Sequence, residues 1–172
     1  GWRLDRDANL DRGMGHLVLL AEDYEGYQNL MRLVSAANLD GFYYKPRVDT
    51  ELLSQYHEGL IALTACQAGW TGQRICNGDL EGARAYVQGL VDIFGQDNVY
   101  LEIMDHGYED EKKVVAGKVQ LSREMGIALV ANNDVYYTAK EDADAHDVLL
   151  CIQTGAFRDD PDRLRFETEE FY

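Results

Sequence analysis

GIALVANNDVYY, from Gly126 to Tyr137, decides how the chain is read. Ile127 to Ala131 is short and apolar and follows Gly126, a residue that stops helices, so the pattern predicts a helix end and then a buried strand. Asn132, Asn133 and Asp134 come just past the strand's carboxyl end. In α/β folds that rim collects ligands and metals, because loops there converge side chains over a packed sheet. A second apolar run, Leu60 to Ala65, ends in Cys66, and two such rims can meet.

Upstream of this stretch the same alternation recurs. His16 opens HLVLLA, a near-continuous apolar run of the kind buried on both faces of a sheet. Asp23 is placed to cap a helix with Tyr27, Leu30, Met31 and Val34 at helical spacing, ending near Asp40-Gly41. FYYKPRV, residues 42–48, reads as a loop, and a short helix is expected near Thr50 to Gln55. Aromatic and basic residues interleaved in that loop suit nucleotide stacking, but packing on its own domain is the better reading in so acidic a chain. Gly59 to Ala65 is the second strand, and Asp79 caps a helix with Leu80, Ala83, Val87, Leu90 and Val91 on one face, closed by Gly95. Val99 to Met104 is the third strand. The helix from about Glu109 to Met125 then uses Val115, Val119 and Leu121. After the fourth strand, Thr138 and Glu141 have capping-box spacing for a last helix carrying Ala145, Val148, Leu149 and Ile152, stopped at Gly155. Four strand-helix units predict an α/β domain with a mainly parallel sheet. Residues 1–15 read as a connector, 16–155 as the domain, and 156–172 as an acidic turn and the start of a linker.

With 172 residues, 46% hydrophobic and 27% charged, the chain can bury one core without disulfides. No apolar run approaches the ~20 residues of a membrane span, and no signal-peptide pattern is present, which points to the cytoplasm. Cys66, Cys76 and Cys151 form no CxxC and read as free thiols. A formal net charge of −15 repels a phosphate backbone, so this surface is not expected to grip DNA. The absence of an initiator Met and the stop at Phe171-Tyr172 suggest a piece of a longer chain. No GxGxxG, GxxxxGK[ST] or GxSxG occurs, which leaves dinucleotide, P-loop and serine-hydrolase chemistry unsupported.

His16, Cys66 and Asp134, with Asp105 and His106 after the third strand, are the residue types of a hydrolytic metal site. Thiolate and imidazole favour zinc, and carboxylate tolerates manganese or magnesium. Each has an ordinary alternative. A free cysteine is most often a small buried hydrophobe, Asp134 beside two asparagines suits turn capping equally well, and His16 reads as a satisfied polar group. His57 and His146 read as structural.

GHLVLLAEDYEGYQNLMRLVSAANLDGFYYKPRVD, GLIALTACQAG, LEIMDHG, ANNDVYY and AHDVLLCIQTG followed by DDPDRLRFETEEFY, in this order and spacing, resemble the PHP (polymerase and histidinol phosphatase) domain of bacterial DNA polymerase III alpha subunits. The resemblance covers nearly everything after Gly15. It implies part of a distorted seven-stranded (β/α) barrel with up to nine metal-ligand positions, the first five of them upstream of this sequence. The other four fall on His16, Cys66, Asp134 and position 136. The last is histidine where the site is intact and is Tyr136 here; a neutral phenol with pKa ~10 is a poor substitute for imidazole. In extended chain, positions 134 and 136 share a face.

The resemblance further implies a parent DNA-directed DNA polymerase working with Mg2+ on primed DNA, and a PHP part that supports the rest of the alpha subunit and contacts a proofreading exonuclease subunit and other replisome proteins. Zn2+ or Mn2+ would occupy the PHP site, incompletely here. The alternatives are an active metal-dependent 3′-5′ exonuclease or phosphoesterase, and a generic small-molecule-binding α/β domain. One geometric condition stands apart from the resemblance. Cys66 and Asp134 follow their strands whereas His16 precedes its own, and a five-residue strand is ~17 Å long. For all three to share a site, the first strand must run against the others.

Overall fold

Strand and helix alternate because short apolar runs are separated by helical segments that each bury one side. The computed structural model describes residues 3–6 and 14–172. In order these form β1 (Val18–Ala21), α1 (Tyr24–Leu39), α2 (Thr50–Gln55), β2 (Leu60–Leu63), α3 (Trp70–Cys76), α4 (Leu80–Phe94), β3 (Val99–Ile103), α5 (Glu109–Met125), β4 (Leu129–Ala131) and α6 (Ala143–Thr154). The strands make one sheet in the order β1-β2-β3-β4. β1 runs antiparallel to β2, pairing Val18 with Leu63 and Ala21 with Leu60. β2, β3 and β4 are parallel, with Ala62 opposite Val99 and Leu101 opposite Leu129. This is a mixed α/β architecture consistent with part of a (β/α) barrel.

The core lies between the sheet and its helices. Leu60, Ala62, Val99 and Leu101 pack with Leu33 of α1, with Ala83, Val87, Leu90 and Phe94 of α4, and with Leu121 of α5. Each fully buried Leu, Val or Phe contributes roughly 1.5–3 kcal/mol relative to exposure. Aspartate caps fix the entry of α1, α2 and α4. Asp23 accepts from Gly26 N at 2.8 Å, Asp49 from Leu52 N at 3.0 Å and Asp79 from Gly82 N at 2.8 Å. Gly126 and Gly155 end α5 and α6 in the left-handed conformation. At Gly26 the need is closeness rather than φ, since a Cβ there would meet Gly59 O at 1.8 Å.

Several expectations change in the fold. α1 buries Gly26, Asn29, Leu33 and Ala37, whereas Tyr27, Met31 and Val34 face outward. α6 likewise buries Leu150 and Cys151 and exposes Val148, Leu149 and Ile152. Both helices carry apolar residues on two sides, so spacing alone cannot choose the core-facing one. β1, expected to be buried on both faces, is an edge strand with Val18 and Leu20 exposed. β4 starts at Leu129 rather than Ile127. The Thr138/Glu141 capping box is replaced by a 3-10 turn, Lys140–Asp142, in which the Asp142 carboxylate accepts from Ala139 N at 3.1 Å.

The loop at residues 42–48 is packed, as expected. Arg47 donates to Gly41 O at 3.0 Å and to Arg3 O and Asp5 O at 2.7 Å each, and the Arg3 side chain pairs with Asp49 at 2.8 Å. Within the predicted connector, Arg3 and Asp5 are therefore docked on this loop; its residues 1–2 and 7–13 lie outside the described residues. No described helix is long and apolar enough to cross a membrane, and all three cysteines are free.

Candidate functional site

Because β2, β3 and β4 are parallel, the residues that follow them leave the sheet on the same edge. Cys66 follows β2, Asp105 and His106 follow β3, and Asn132 to Asp134 follow β4. β1 runs the other way, so the residue preceding it reaches the same edge. His16 N donates to Ala68 O at 3.1 Å, and His16 bridges Gly69. The condition for His16 to share the rim is thus met. The approach depends on Gly69, where a Cβ would meet Thr64 O at 2.3 Å.

The individual donors are occupied in different ways. Cys66 is half-buried, and its Sγ accepts from Ala68 N at 3.4 Å. Asp134 is half-buried, and Asn132 Oδ1 accepts from Asn133 N at 2.7 Å and from Asp134 N at 3.3 Å, which is a local side-chain turn. Asp134 has φ +43°, so the backbone is not extended here and the alternation expected to bring position 136 onto the Asp134 face does not operate. The Tyr136 ring instead packs among His146, Phe166 and Phe171, with centroids 5.4, 5.1 and 5.8 Å away. Its phenol is pushed above its usual value by burial and by the charges of Asp134 and Cys66, so it stays neutral and lies in the field of both.

Among the described residues no three His, Cys, Asp or Glu side chains form a group able to hold a metal ion. The rim donors do converge on one edge, but with a neutral phenol beside them they do not fit a bound Zn2+ or Mn2+ as a set.

His106 is placed on the rim and fully committed there. It is 1% exposed. Its Nδ1 lies 2.6 Å from Glu111 Oε1, its Nε2 2.7 Å from Asn133 O, and its backbone N donates to Glu111 Oε2 at 2.7 Å. Both ring nitrogens face acceptors, which is the hydrogen-bonding pattern of an imidazolium. Burial works to lower its pKa, but the Glu111 hydrogen bond, the Asn133 carbonyl and the charges of Glu111 and Asp134 together raise it. His106 therefore joins β3, α5 and the β4 rim and has no free lone pair for a metal. Asp105 accepts from Gly107 N at 3.0 Å and shapes the same turn.

Three buried charged residues near the rim were not picked out from the sequence: Glu102, Glu111 and Lys118. Lys118 donates to Ala65 O at 2.6 Å and to Glu102 O at 2.7 Å, and Glu102 Oε1 accepts from Asn132 Nδ2. The signal was present on α5, whose buried face is Glu111, Val114, Lys118 and Leu121. Two charges in phase with apolar residues at i, i+3, i+7 and i+10 mark polar groups carried into the core.

The last residues cross the rim. Phe171, 8% exposed, stacks on His106 with centroids 3.9 Å apart and planes 10° apart. Tyr136 N donates to Phe171 O at 2.9 Å, and Asn133 Nδ2 to Glu170 O at 2.8 Å and Tyr172 O at 2.6 Å. Arg163 grips Asp147 of α6 through two bonds, at 2.6 and 2.8 Å. The segment predicted to begin a linker is thus bound to the domain.

The family model described as PHP domain matches residues 4–106. Over 99% of this chain, the DNA polymerase III subunit alpha of Treponema pallidum is 46% identical. The corresponding subunit of Thermus aquaticus is 47% identical over 97% of the chain, and that of Deinococcus radiodurans 44% over 100%. The chain spans 15%, 14% and 13%, respectively, of these relatives' own lengths.

Proposed function

The chain belongs to the PHP-domain family, and from that premise we propose that it is the PHP part of a replicative DNA polymerase alpha subunit, serving as scaffold and partner-binding surface with an incomplete metal site. The observation that carries this reading is the 46% identity to an alpha subunit along 99% of the chain. In such a parent protein, nucleotide addition with two Mg2+ ions on primed DNA belongs to the remainder of the subunit. The parts played by this chain's own residues are architectural. His106 and Glu111 lock the β3 rim, Phe171 caps them, and Tyr136 fills space beside Cys66 and Asp134 without offering a nitrogen.

A net charge of −15 supports a protein partner over DNA, and the proofreading exonuclease subunit is the partner proposed, in the cytoplasm with the rest of the replisome. The test presents the protein with that subunit and, separately, with primed DNA at ~0.15 M salt, where surface charges beyond about 8 Å are screened. Saturable binding to the subunit and none to DNA is expected. Tight, salt-sensitive DNA binding without subunit binding would overturn the proposal, and Mn2+-dependent release of nucleotides from a DNA 3′ end would assign the phosphoesterase role instead.

A further inference from the structure

One buried ammonium joins the ends of two neighbouring strands, and a buried glutamate links them to a third. Lys118 rises from the middle of α5 with 1% exposure. Its Nζ donates to Ala65 O, beyond β2, and to Glu102 O, in β3. Glu102, also 1% exposed, extends the link through Oε1 to Asn132 Nδ2, just beyond β4, while its buried Oε2 has no partner. A small cavity lined by Cys66, Gln67, Glu102, Met104 and Lys118 lies alongside. Ala65 sits at φ +56°, a conformation that costs a residue with a Cβ and persists where surrounding contacts hold it.

An apolar side chain of the same length would fill this space at lower desolvation cost, since a buried ammonium is expensive unless its bonds are needed. Burial indeed pushes the Lys118 amine down to about 8, with the charges of Glu102, Cys66 and Cys76 acting the other way. Here the bonds are needed. Ala65 and Glu102 are both buried, so without the ammonium their carbonyls at this end of the parallel ladder would be acceptors lacking that donor. We propose that Lys118 is the resident cation of the rim, a positioning residue that, with Glu102, ties the ends of β2, β3 and β4 and holds the turn carrying Cys66. The tether goes beyond the scaffold reading and stands apart from it, because it is made of bonds within the domain and holds whatever partner binds outside.

Two measurements test it. In the wild-type protein labelled with 15N-lysine, one Nζ resonance should show protons protected from exchange with water, and it should vanish in Lys118→Met. In that variant, whose unbranched apolar side chain follows lysine's course to within one atom but donates nothing, amide exchange should speed up at least 10-fold at His16, Gly69 and Asn132, while the α4 amides Val87 and Leu90 stay unchanged. A side chain that only filled space would leave those rim amides protected when methionine replaced it. A wild type with no protected Nζ resonance, or a Met variant with full rim protection, overturns the proposal. If the Met variant does not fold, the wild-type resonance decides alone: present, it supports the tether; absent, it refutes it.

Discussion

Replacing Glu111 with Gln probes the most tightly bonded part of the rim. Glu111 is 6% exposed and accepts both from the His106 ring, at 2.6 Å, and from the His106 backbone, at 2.7 Å. Gln keeps the shape and one acceptor oxygen but removes the charge and turns an amide NH2 toward an N–H. One His106 donor is then left unsatisfied, and the buried imidazolium loses its counter-charge. Breaking a buried pair in this way costs about 3–5 kcal/mol, and the acceptor that remains puts the expectation near the lower figure. For a chain of this size, about 3 kcal/mol lowers Tm by roughly 6–12 °C.

The sign of the pH dependence follows from the raised His106 pKa. Its stabilisation is fully present below the unfolded value of about 6.5 and is lost as pH rises through the higher folded value. The gap between wild type and Glu111→Gln should therefore be widest near pH 6 and narrow toward pH 8. Measurements should stop there, because Lys118 has the opposite effect. Its folded pKa of about 8 lies below the usual 10.5, so that group adds stability as pH rises between the two. Urea unfolding at four pH values between 5.5 and 8 reads the gap. A variant within about 1 kcal/mol of wild type at pH 6, less than the cost of one lost charged hydrogen bond, would refute the reasoning, as would a gap that widens with pH.

Gly26→Ala places a methyl 1.8 Å from Gly59 O and should destabilise the protein by about 3 kcal/mol or prevent α1 from docking, read by thermal unfolding and helix content. Phe171→Ala removes the ring stacked 3.9 Å from His106 and should cost about 3 kcal/mol while exposing residues 166–172 to proteolysis; protection equal to wild type would show that the segment does not depend on that ring. Arg163→Met breaks the bidentate grip on Asp147 and should loosen the same segment; unchanged amide exchange at Phe166 would count against it.

The order of strands and helices was legible because punctuation residues mark it. Asp23, Asp79, Gly126 and Gly155 act where their types predict. α3 was not legible: seven residues with Gly72 inside and no side-chain cap carry almost no local signal. The faces of α1 and α6 were read from whichever apolar residues recurred, yet only the position of the sheet decides which side is covered. At the rim, residue types named the right loops. What each atom does there was not legible, because His106 acquires its role from Glu111 on the next helix and from the Asn133 carbonyl. Tyr136 was placed by assuming extended chain, and the left-handed backbone at Asp134 removes that assumption.

The scaffold reading is tested most directly by metal content per chain, measured after dialysis against a weak chelator in the presence of Zn2+ and, separately, Mn2+, for the wild type beside Tyr136→His. His16, Cys66 and Asp134 reach one edge of the sheet, but the Tyr136 phenol, packed among His146, Phe166 and Phe171, offers no nitrogen. Well under one ion per chain is expected in the wild type, with a measurable gain when histidine stands at position 136. One ion per wild-type chain, with no gain in the variant, would contradict the incomplete site and return the rim to metal chemistry.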